Sequence, residues 1–329
     1  MGGPDDDAGK AIAVDASENA ITTGYFNSKA GFNPSSPSSN ILTSLGDAEV
    51  FISKLDGKGN YVWANPVSGN GYDIGLGIAV DASGLIYVTG GFSGNCDFNP
   101  SKPVASVVSN GQIDAFFACY QADGSYSWAY QIGSKGDDFG NSIIVDASSN
   151  VYLTGSFQNG PDFNPGTSNY TLNSVGSEDV FIGKYSSSAA FIWAYQMGGG
   201  KTDIGKDIAI SSIKEVYTTG TMAFRGDFNP FKDSLMLVSN GGYDGFVQKM
   251  GVCKTTYGTV IGKSCLGYTY NGTTYNTTGT YYQTLKNAQD CDSVITIRVT
   301  INSPTFRNLD TIVCKSITIN GQTYSSEGT

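Results

Sequence analysis

Short runs of alternating apolar and polar residues, separated by turns rich in Asp, Ser, Asn and Gly, recur along most of the chain. The runs 142–146 and 151–155 flank a polar turn and predict a β-hairpin. After a polar, proline-containing loop, the runs 179–185 and 191–196 predict a second hairpin. One unit of this pattern therefore predicts four short strands.

The unit repeats with a period of 65 or 66 residues. Three sets of residues mark the period: Gly24, Gly90, Gly155 and Gly220; Asn33, Asn99, Asn164 and Asn229; Phe51, Phe116, Phe181 and Phe246. A fixed period is the signature of a modular array. Four strands per repeat predict an all-β fold, the β-propeller, in preference to a β-solenoid or a string of sandwich domains.

We expect propeller blades, here called repeats 1 to 4, over residues 4–67, 68–133, 134–199 and an incomplete 200–250. Repeat 4 lacks a counterpart of Trp63, Trp128 and Trp193, so its fourth strand is expected to be missing. Met1 aligns with Met197, which predicts that Met1 is internal and that the chain is a fragment of a larger propeller. A strand upstream of Met1 would then close the last blade.

A second, shorter repeat begins after residue 250. Cys265 and Asn271-Gly272 recur 49 residues later as Cys314 and Asn320-Gly321, and both Asn-Gly pairs predict tight hairpin turns. We expect a propeller domain over 1–250 and small β-sandwich-like modules after it. The predicted ranges are a linker over 251–263, a module over 264–302 and a truncated second module over 303–329.

Charge and composition exclude several classes of partner. The net charge is −10, and no cluster of Lys and Arg is present that could bind nucleic acid or an anionic membrane. No apolar run is long enough to cross a bilayer, so no membrane insertion is expected. The chain contains no histidine, which removes the commonest general base and a common metal ligand.

Residues 78–84 with 87–90, and the stretch Asp97-Phe98-Asn99-Pro100, resemble the bacterial seven-bladed β-propeller repeat, or SBBP repeat. The resemblance covers residues 4 to about 250. It implies an extracellular or cell-surface bacterial protein without a defined catalytic activity.

The tail, with Gly279-Thr280-Tyr281 and Cys291-Asp292-Ser293, is similar to tandem β-modules of adhesin-like secreted proteins. That similarity implies a sorting domain and a signal peptide that this fragment would lack.

Two hypotheses concern the aspartates before the Phe-Asn-Pro loops, Asp97, Asp162 and Asp227. They could supply carboxylate ligands to Ca²⁺, the only cofactor that the sequence suggests. Alternatively, they accept hydrogen bonds from loop N–H groups and so fix the turn. Gly31 takes the place of the aspartate in repeat 1.

Cysteines suggest one disulfide. Cys265 and Cys291 lie within one small module, and a bond between them would close a loop of about 27 residues and contribute roughly 3 kcal/mol. Cys96 and Cys119 lie in repeat 2 and either pair or fill space.

Acidic residues recur in every repeat. Glu49, Asp114, Asp179 and Asp244 begin the third strands, and Asp7, Asp73, Asp138 and Asp203 begin the repeats. Recurrence favours a structural role, because an active site is normally built once from unlike residues. The alternative function is a carboxylate-dependent carbohydrate-active hydrolase or lyase.

We therefore expect a monomeric, non-enzymatic surface or secreted protein that binds a protein or carbohydrate ligand through loops and carries a stalk of β-modules. Loop residues that break the repeat are the candidate ligand contacts. They are Ser93, Gly94, Asn95, Phe224 and Arg225.

Overall fold

The computed structural model describes residues 2–99, 105–231, 234–251, 256–286, 292–302 and 316–324. In this part of the chain every regular element is a β-strand, and no helix long and apolar enough to cross a membrane is found. The chain divides into two compact units, Met1–Val252 and Cys253–Thr329. The first unit is all-β and propeller-like.

Repeats 1 to 3 each contain an antiparallel four-stranded meander. Repeat 1 contains β1 (Ala8–Val14), β2 (Ala20–Gly31), β3 (Ile41–Leu55) and β4 (Tyr61–Gly69). Repeat 2 contains β5 (Ile74–Val80), β6 (Ile86–Phe92), β7 (Asn95–Asp97), β8 (Ser106–Val108), β9 (Asp114–Tyr120) and β10 (Tyr126–Ile132). Its meander is β5, β6, β9 and β10, and β7–β8 is an added hairpin.

Repeat 3 contains β11 (Phe139–Val145), β12 (Val151–Phe157), β13 (Asp179–Tyr185) and β14 (Phe191–Gly199). Repeat 4 contains three strands, β15 (Ile204–Ile210), β16 (Val216–Asp227) and β17 (Met236–Met250). The turn between β11 and β12 is held by Asp146, whose Oδ1 accepts hydrogen bonds from the N–H groups of Ser148 and Asn150 at 2.8 and 3.0 Å. An Asx-type turn of this kind lets the chain reverse within four residues.

Consecutive repeats pack face to face. The first strand of repeats 2, 3 and 4 lies against the first three strands of the repeat before it. Apolar side chains from both repeats form one cluster at each junction. The clusters include Ile52 and Ile78, Phe117 and Ile143, and Ile182 and Ile208, respectively. Burial of these clusters is the main force that holds the array together.

Hydrogen-bonded strands also connect the repeats. The end of β4 pairs with β7, and the end of β14 pairs with β16, so that the sheets of repeats 1 and 3 continue into repeats 2 and 4. The indole N–H of Trp63 donates to the carbonyl oxygen of Ala122 in repeat 2 at 3.3 Å. Together these bonds fix the register of one repeat on the next.

The second unit contains a three-stranded sheet. Strand β18 (Thr256–Ser264) runs parallel to β22 (Asp292–Ile301), which pairs on its other side with β21 (Gly279–Lys286). Tyr275, Ile297 and Val299 form its core. Strand β18 lies where the sequence predicts a linker. Exposed and less exposed positions alternate along β18, but Tyr257 and Ile261 lie on its exposed side and Gly258 and Gly262 on its inner side, so the apolar pattern that identifies a strand from sequence is missing. The strand is held by backbone pairing with β22.

Both Asn-Gly pairs form the hairpin turns that the sequence predicts. Asn271-Gly272 joins β19 (Tyr268–Tyr270) to β20 (Thr273–Tyr275). Asn320-Gly321 joins β23 (Ile317–Ile319) to β24 (Gln322–Tyr324). All four residues have positive φ, as the type I′ turn requires. The remainder of the second module, 303–315 and 325–329, lies outside the described residues.

Three cysteines carry free thiols in the described part of the chain. Cys96 and Cys119 are buried and unpaired, so they fill space in repeat 2. Cys265 is exposed and free, whereas Cys291, its predicted partner, lies outside the described residues. The disulfide between Cys265 and Cys291 therefore stays a prediction.

Candidate functional site

The segment that joins the second and third strands of each repeat, called here the connecting segment, contains the residues that break the repeat pattern. In repeat 2 it forms the hairpin β7–β8, and in repeat 4 it is the far end of the long hairpin β16–β17. In repeat 3 the described pairing within it is a single bridge between Asp162 and Thr171. In repeat 1 it is the far end of the hairpin β2–β3, as in repeat 4, so the same framework supports three kinds of connecting segment in its described part.

One position in every connecting segment has left-handed backbone. The residues are Ser28, Gly94, Asn159 and Phe224, with φ of 52°, 68°, 58° and 65°. Gly and Asn adopt this conformation readily, whereas a bulky side chain is an outlier there. In repeats 2 and 4 a serine hydroxyl stabilises this left-handed conformation. One serine accepts a hydrogen bond from the N–H of Gly94 at 2.9 Å, and another accepts one from the N–H of Phe224 at 2.8 Å.

Phe224 is the unusual member of this series. Its side chain is 64% exposed, so the ring does not offset the strained backbone by packing in the core. Sparsely populated backbone conformations cost of order 1–3 kcal/mol and concentrate at functional sites. The ring is therefore held in solvent at a cost in stability, on a hairpin whose geometry does not need it.

Other exposed apolar side chains lie on the same hairpin. We call Phe224, Leu235, Met236, Val238 and Tyr243 the apolar edge patch. Arg225, which is exposed, lies directly opposite Val238 in the strand register, and Met236 shares a strand face with Val238. Several exposed apolar residues on one hairpin beside an arginine are typical of binding surfaces.

The candidate ligand contacts in repeat 2 also form hydrogen bonds that hold the connecting segment in place. The N–H of Ser93 donates to Oδ1 of Asp73 at 3.1 Å, and its hydroxyl accepts from the N–H of Tyr72 at 2.8 Å. The N–H of Asn95 donates to Oδ1 of Asn70 at 2.9 Å. Gly94 and Asn95 are exposed, so they retain surface for a ligand, whereas Ser93 holds the segment to the start of the repeat.

The aspartates before the Phe-Asn-Pro loops close those loops. One oxygen, Oδ1, accepts two backbone N–H groups in each case, from Asn99 and Ala105 to Asp97, from Asn164 and Tyr170 to Asp162, and from Asn229 and Leu235 to Asp227. Burial opposes ionisation of Asp227, but these N–H groups hold the pKa of its carboxyl below the ordinary value. The phenylalanine after each aspartate is buried against the third strand.

Within the described residues, no group of three or more acidic or cysteine side chains is placed to hold a metal ion. The bonds of Asp97, Asp162 and Asp227 match the loop-fixing hypothesis. Calcium binding at these residues stays the alternative hypothesis.

Two buried carboxyls lie close enough to interact at every junction between repeats, Glu49 with Asp73, Asp114 with Asp138 and Asp179 with Asp203, and this pairing was not evident from the sequence. Asp73 and Asp138 are fully buried, and burial raises their pKa to about 7. Burial also raises the pKa of Asp114 and Asp179 to about 6. Their oxygens accept backbone N–H groups, for example from Ser134 and Gln158 to Asp138 at 2.8 Å each. These groups organise the backbone of the junctions.

The comparisons with known proteins agree with a repeat architecture. A β-propeller repeat family, SBBP, matches residues 128–156. The chain is also 25% identical over 236 residues to an uncharacterized WD repeat-containing protein of Acanthamoeba polyphaga mimivirus. That alignment covers 63% of this chain and 16% of the viral protein, so the chain spans a small part of its relative.

A protein of unknown function from Bacteroides caccae gives a further structural match. It covers 71% of this chain and 74% of that chain, with 8% identity and a TM-score of 0.25, which is too low to support a conclusion about the fold. The family match and the viral relative support a β-propeller repeat in this chain, and the molecule is a repeat scaffold. Tandem adhesin-like modules in the tail stay a prediction.

Proposed function

We propose that this chain is a non-enzymatic binding scaffold at the cell surface or outside the cell, and that the apolar edge patch of repeat 4 contacts its ligand. The observation that carries this proposal is Phe224, an exposed ring on left-handed backbone. Its equivalents are Ser28, Gly94 and Asn159, which are small or tolerate that conformation. Selection for stability alone would favour such a residue in repeat 4.

The chemistry of the patch favours an adhesive role. Aromatic side chains and arginine dominate the binding energy at protein interfaces, and both also contact sugars and peptides through their flat faces. Phe224 and Arg225 are adjacent, exposed and carried on a rigid two-stranded hairpin. The ligand class that fits is a protein or a carbohydrate with an apolar face. The β-modules of the second unit would serve as a stalk.

The non-enzymatic part of the proposal rests on the acidic residues. Glu49, Asp114 and Asp179, which begin the third strands, are buried and accept hydrogen bonds from backbone N–H groups of Leu45, Asn110 and Val175. Carboxylates that hydrolyse glycosides must reach the substrate. The extracellular location rests on the resemblance of the repeats and tail to surface proteins.

Binding can be tested on an immobilised glycan array and a panel of purified extracellular-matrix proteins. We expect the wild-type chain to bind at least one surface and Phe224→Gly to lose at least tenfold in affinity, because glycine keeps the backbone conformation and removes the ring. Val175→Ala is the matched control, since Val175 is also an exposed apolar residue of a connecting segment. Equal binding by Phe224→Gly and wild type, or binding to nothing on either panel, would refute the proposed role.

A further inference from the structure

Two carboxyls from neighbouring repeats face each other at the junction between repeats 3 and 4. Asp179 begins the third strand of repeat 3, and Asp203 directly precedes the first strand of repeat 4. A Cβ atom added to Gly198 would lie 2.6 Å from Oδ1 of Asp179 and 2.9 Å from Oδ2 of Asp203. Both side chains are fully buried, so the two oxygens converge on one point that is shielded from solvent.

The two carboxyls differ in their hydrogen bonds. Each oxygen of Asp203 accepts a backbone N–H group, at 2.8 and 2.9 Å. Oδ2 of Asp179 accepts from the N–H of Val175 at 2.8 Å and from the side-chain amide of Gln196 at 3.1 Å, but its Oδ1 is buried without a partner. Buried polar atoms are normally hydrogen-bonded, so a donor is missing at this oxygen.

The junction between repeats 2 and 3 has the same arrangement. Asp138 accepts a backbone N–H group on each oxygen. Asp114 accepts the N–H of Asn110 on Oδ2 at 2.7 Å, and its Oδ1 is again buried without a partner. Burial, together with the nearby charge of Asp114, raises the pKa of Asp138 to about 7. Asp114 therefore corresponds to Asp179, and Asp138 corresponds to Asp203.

The junction between repeats 1 and 2 supplies a donor for the corresponding oxygen. The residue five positions before the second carboxyl is Gly133 or Gly198 at the other two junctions and Ser68 at this one. The hydroxyl of Ser68 donates to Oε2 of Glu49 at 2.7 Å, and Oε1 accepts the N–H of Leu45, so both oxygens of Glu49 have a donor. The unpartnered oxygen thus occurs where glycine replaces the serine.

We propose that one proton is shared across each of the two junctions with glycine, held on Oδ1 of Asp179 or Asp114 and donated towards the carboxylate of Asp203 or Asp138. The proton gives the unpartnered oxygen a hydrogen bond and leaves one negative charge on each pair. Two carboxyls at one site lose their protons in separate steps, because the first charge disfavours the second. Loss of the shared proton at higher pH leaves two buried charges facing each other, which weakens the contact between the repeats.

The surroundings of the two pairs contain few opposite charges. In the described part of the chain, no lysine or arginine forms an ion pair with any of the four carboxyls. Asp137 also raises the pKa of Asp138, and Glu178 interacts with Asp137 and Lys206. Burial raises the pKa of Asp114 and Asp179 to about 6 and also raises that of Asp203. The other charged residues of the adjoining turns and of β16 are the exposed Lys135, Lys201 and Arg225, and Asp227, which accepts N–H groups of its own loop.

An asparagine at position 179 reproduces the protonated acid, because its amide N–H donates where the shared hydroxyl would and cannot ionise. We expect the wild-type Tm to fall between about pH 5 and 8, since the folded chain binds more protons than the unfolded chain over this range. In Asp179→Asn the fall should be smaller, and its Tm at pH 8 should equal or exceed that of the wild type. Glu49→Gln is the matched control and should lower the Tm at every pH, because both oxygens of Glu49 accept hydrogen bonds.

Infrared spectroscopy detects the proton itself. At pH 7 the wild-type chain should show the carbonyl stretching band of a protonated carboxyl, and this band should lose intensity in Asp179→Asn and in Asp114→Asn. Asp123→Asn should leave it unchanged, because hydrogen bonds from Ser125 lower the pKa of the exposed Asp123.

Two results would overturn the shared proton. One is a band that is absent at pH 7 or unchanged in both variants. The other is a rise in Tm on adding Ca²⁺ at pH 8 that Asp179→Asn abolishes, since a cation would then lie between the carboxyls.

Discussion

The ammonium group of Lys54 lies 2.9 Å from Oδ2 of Asp15, and the two side chains are only 9% and 10% exposed. Lys54 also donates to the carbonyl oxygen of Ala122 in repeat 2, at 3.2 Å. Burial opposes ionisation of Asp15, but hydrogen bonds from Asn19 and Lys54 hold the pKa of its carboxyl well below the ordinary value. One lysine thus neutralises a buried charge in its own repeat and contacts the next.

Replacing this lysine should therefore be costly. Lys54→Met leaves the Asp15 carboxylate buried without its counter-ion, and we expect the free energy of unfolding to fall by about 3 kcal/mol. Urea denaturation followed by circular dichroism measures the change. Lys249→Met is the control at the equivalent position, because the Lys249 side chain is 50% exposed in its ion pair with Glu215. Equal losses in both variants would contradict the role of burial.

Replacing Phe224 with glycine should make the folded chain more stable. Phe224→Gly relieves left-handed backbone strain without uncovering any core, and we expect the free energy of unfolding to rise by about 1 kcal/mol. Asn159→Gly, at the equivalent position of repeat 3, should change stability by a few tenths of a kcal/mol at most, since Asn tolerates this conformation. Thermal and urea unfolding can be compared for both. A loss of stability in Phe224→Gly would show that the ring supports the fold.

A glycine on the first strand of repeats 2, 3 and 4 packs directly against a threonine of the repeat before it, so the effect of a glycine substitution on stability should depend on its position. Gly140→Ala places a methyl group against Oγ1 of Thr89, and overpacking of this kind costs about 1–3 kcal/mol. Gly9→Ala should leave stability unchanged, because no atom lies near the added methyl group. If Gly140→Ala also proved neutral in urea denaturation, the close packing of repeats 2 and 3 would be in doubt.

Stability should depend on pH through the buried carboxyls. Asp73 and Asp138 have a pKa of about 7 in the folded chain, against about 4 when unfolded. The folded state therefore binds more protons between these values, and stability present at low pH is lost as pH rises through 7. We expect the free energy of unfolding to fall between pH 5 and about 7.5 by on the order of 2 kcal/mol for each such group.

The variant Asp138→Asn tests the origin of this slope. It removes one titrating group, so the fall in stability with pH should become shallower even if the variant is less stable throughout. Asp123→Asn is the control, because hydrogen bonds from Ser125 lower the pKa of Asp123 and its titration lies outside this range. An unchanged slope in Asp138→Asn would show that this carboxyl does not titrate near neutral pH.

Variants of Asp162 can distinguish calcium binding from closure of the loop by hydrogen bonds. Asp162→Ala removes the acceptor of two backbone N–H groups and should cost about 2 kcal/mol in the presence of a chelator, whereas Asp162→Asn, which keeps an Oδ1 acceptor, should cost less. Added Ca²⁺ should leave the wild-type Tm unchanged. A rise in Tm on adding Ca²⁺ that Asp162→Asn abolishes would instead show a metal site.

Much of the first unit follows from its sequence pattern. The runs 179–185 and 191–196 predict the second hairpin of repeat 3, and the structure has strands over Asp179–Tyr185 and Phe191–Gly199. Such agreement is expected where short β-rich runs alternate with Asp, Ser and Asn turns, because local propensity and burial favour the same strands.

Other features depend on contacts that a local pattern does not contain. Strand β18 exposes Tyr257 and Ile261 and has Gly258 and Gly262 on its inner side, so its apolar pattern does not predict its buried face, and pairing with β22 defines it. The strain at Phe224 becomes visible only when the residue is aligned with Ser28, Gly94 and Asn159 and the backbone conformation of that position is known. The burial of Ile78, which is 8% exposed, likewise depends on packing against repeat 1, because Ile12 is the same residue type in the same local pattern and is 66% exposed.

The contact between Gly140 and Thr89 also has an evolutionary consequence. Because each repeat has both the glycine and the threonine, a tandem duplication of the coding segment would add a unit that already fits its neighbours on both sides. Arrays of this kind can lengthen or shorten without compensating substitutions at the junctions, while the connecting segments are free to diverge. Selection can then act on ligand recognition in one unit and leave the others as its support.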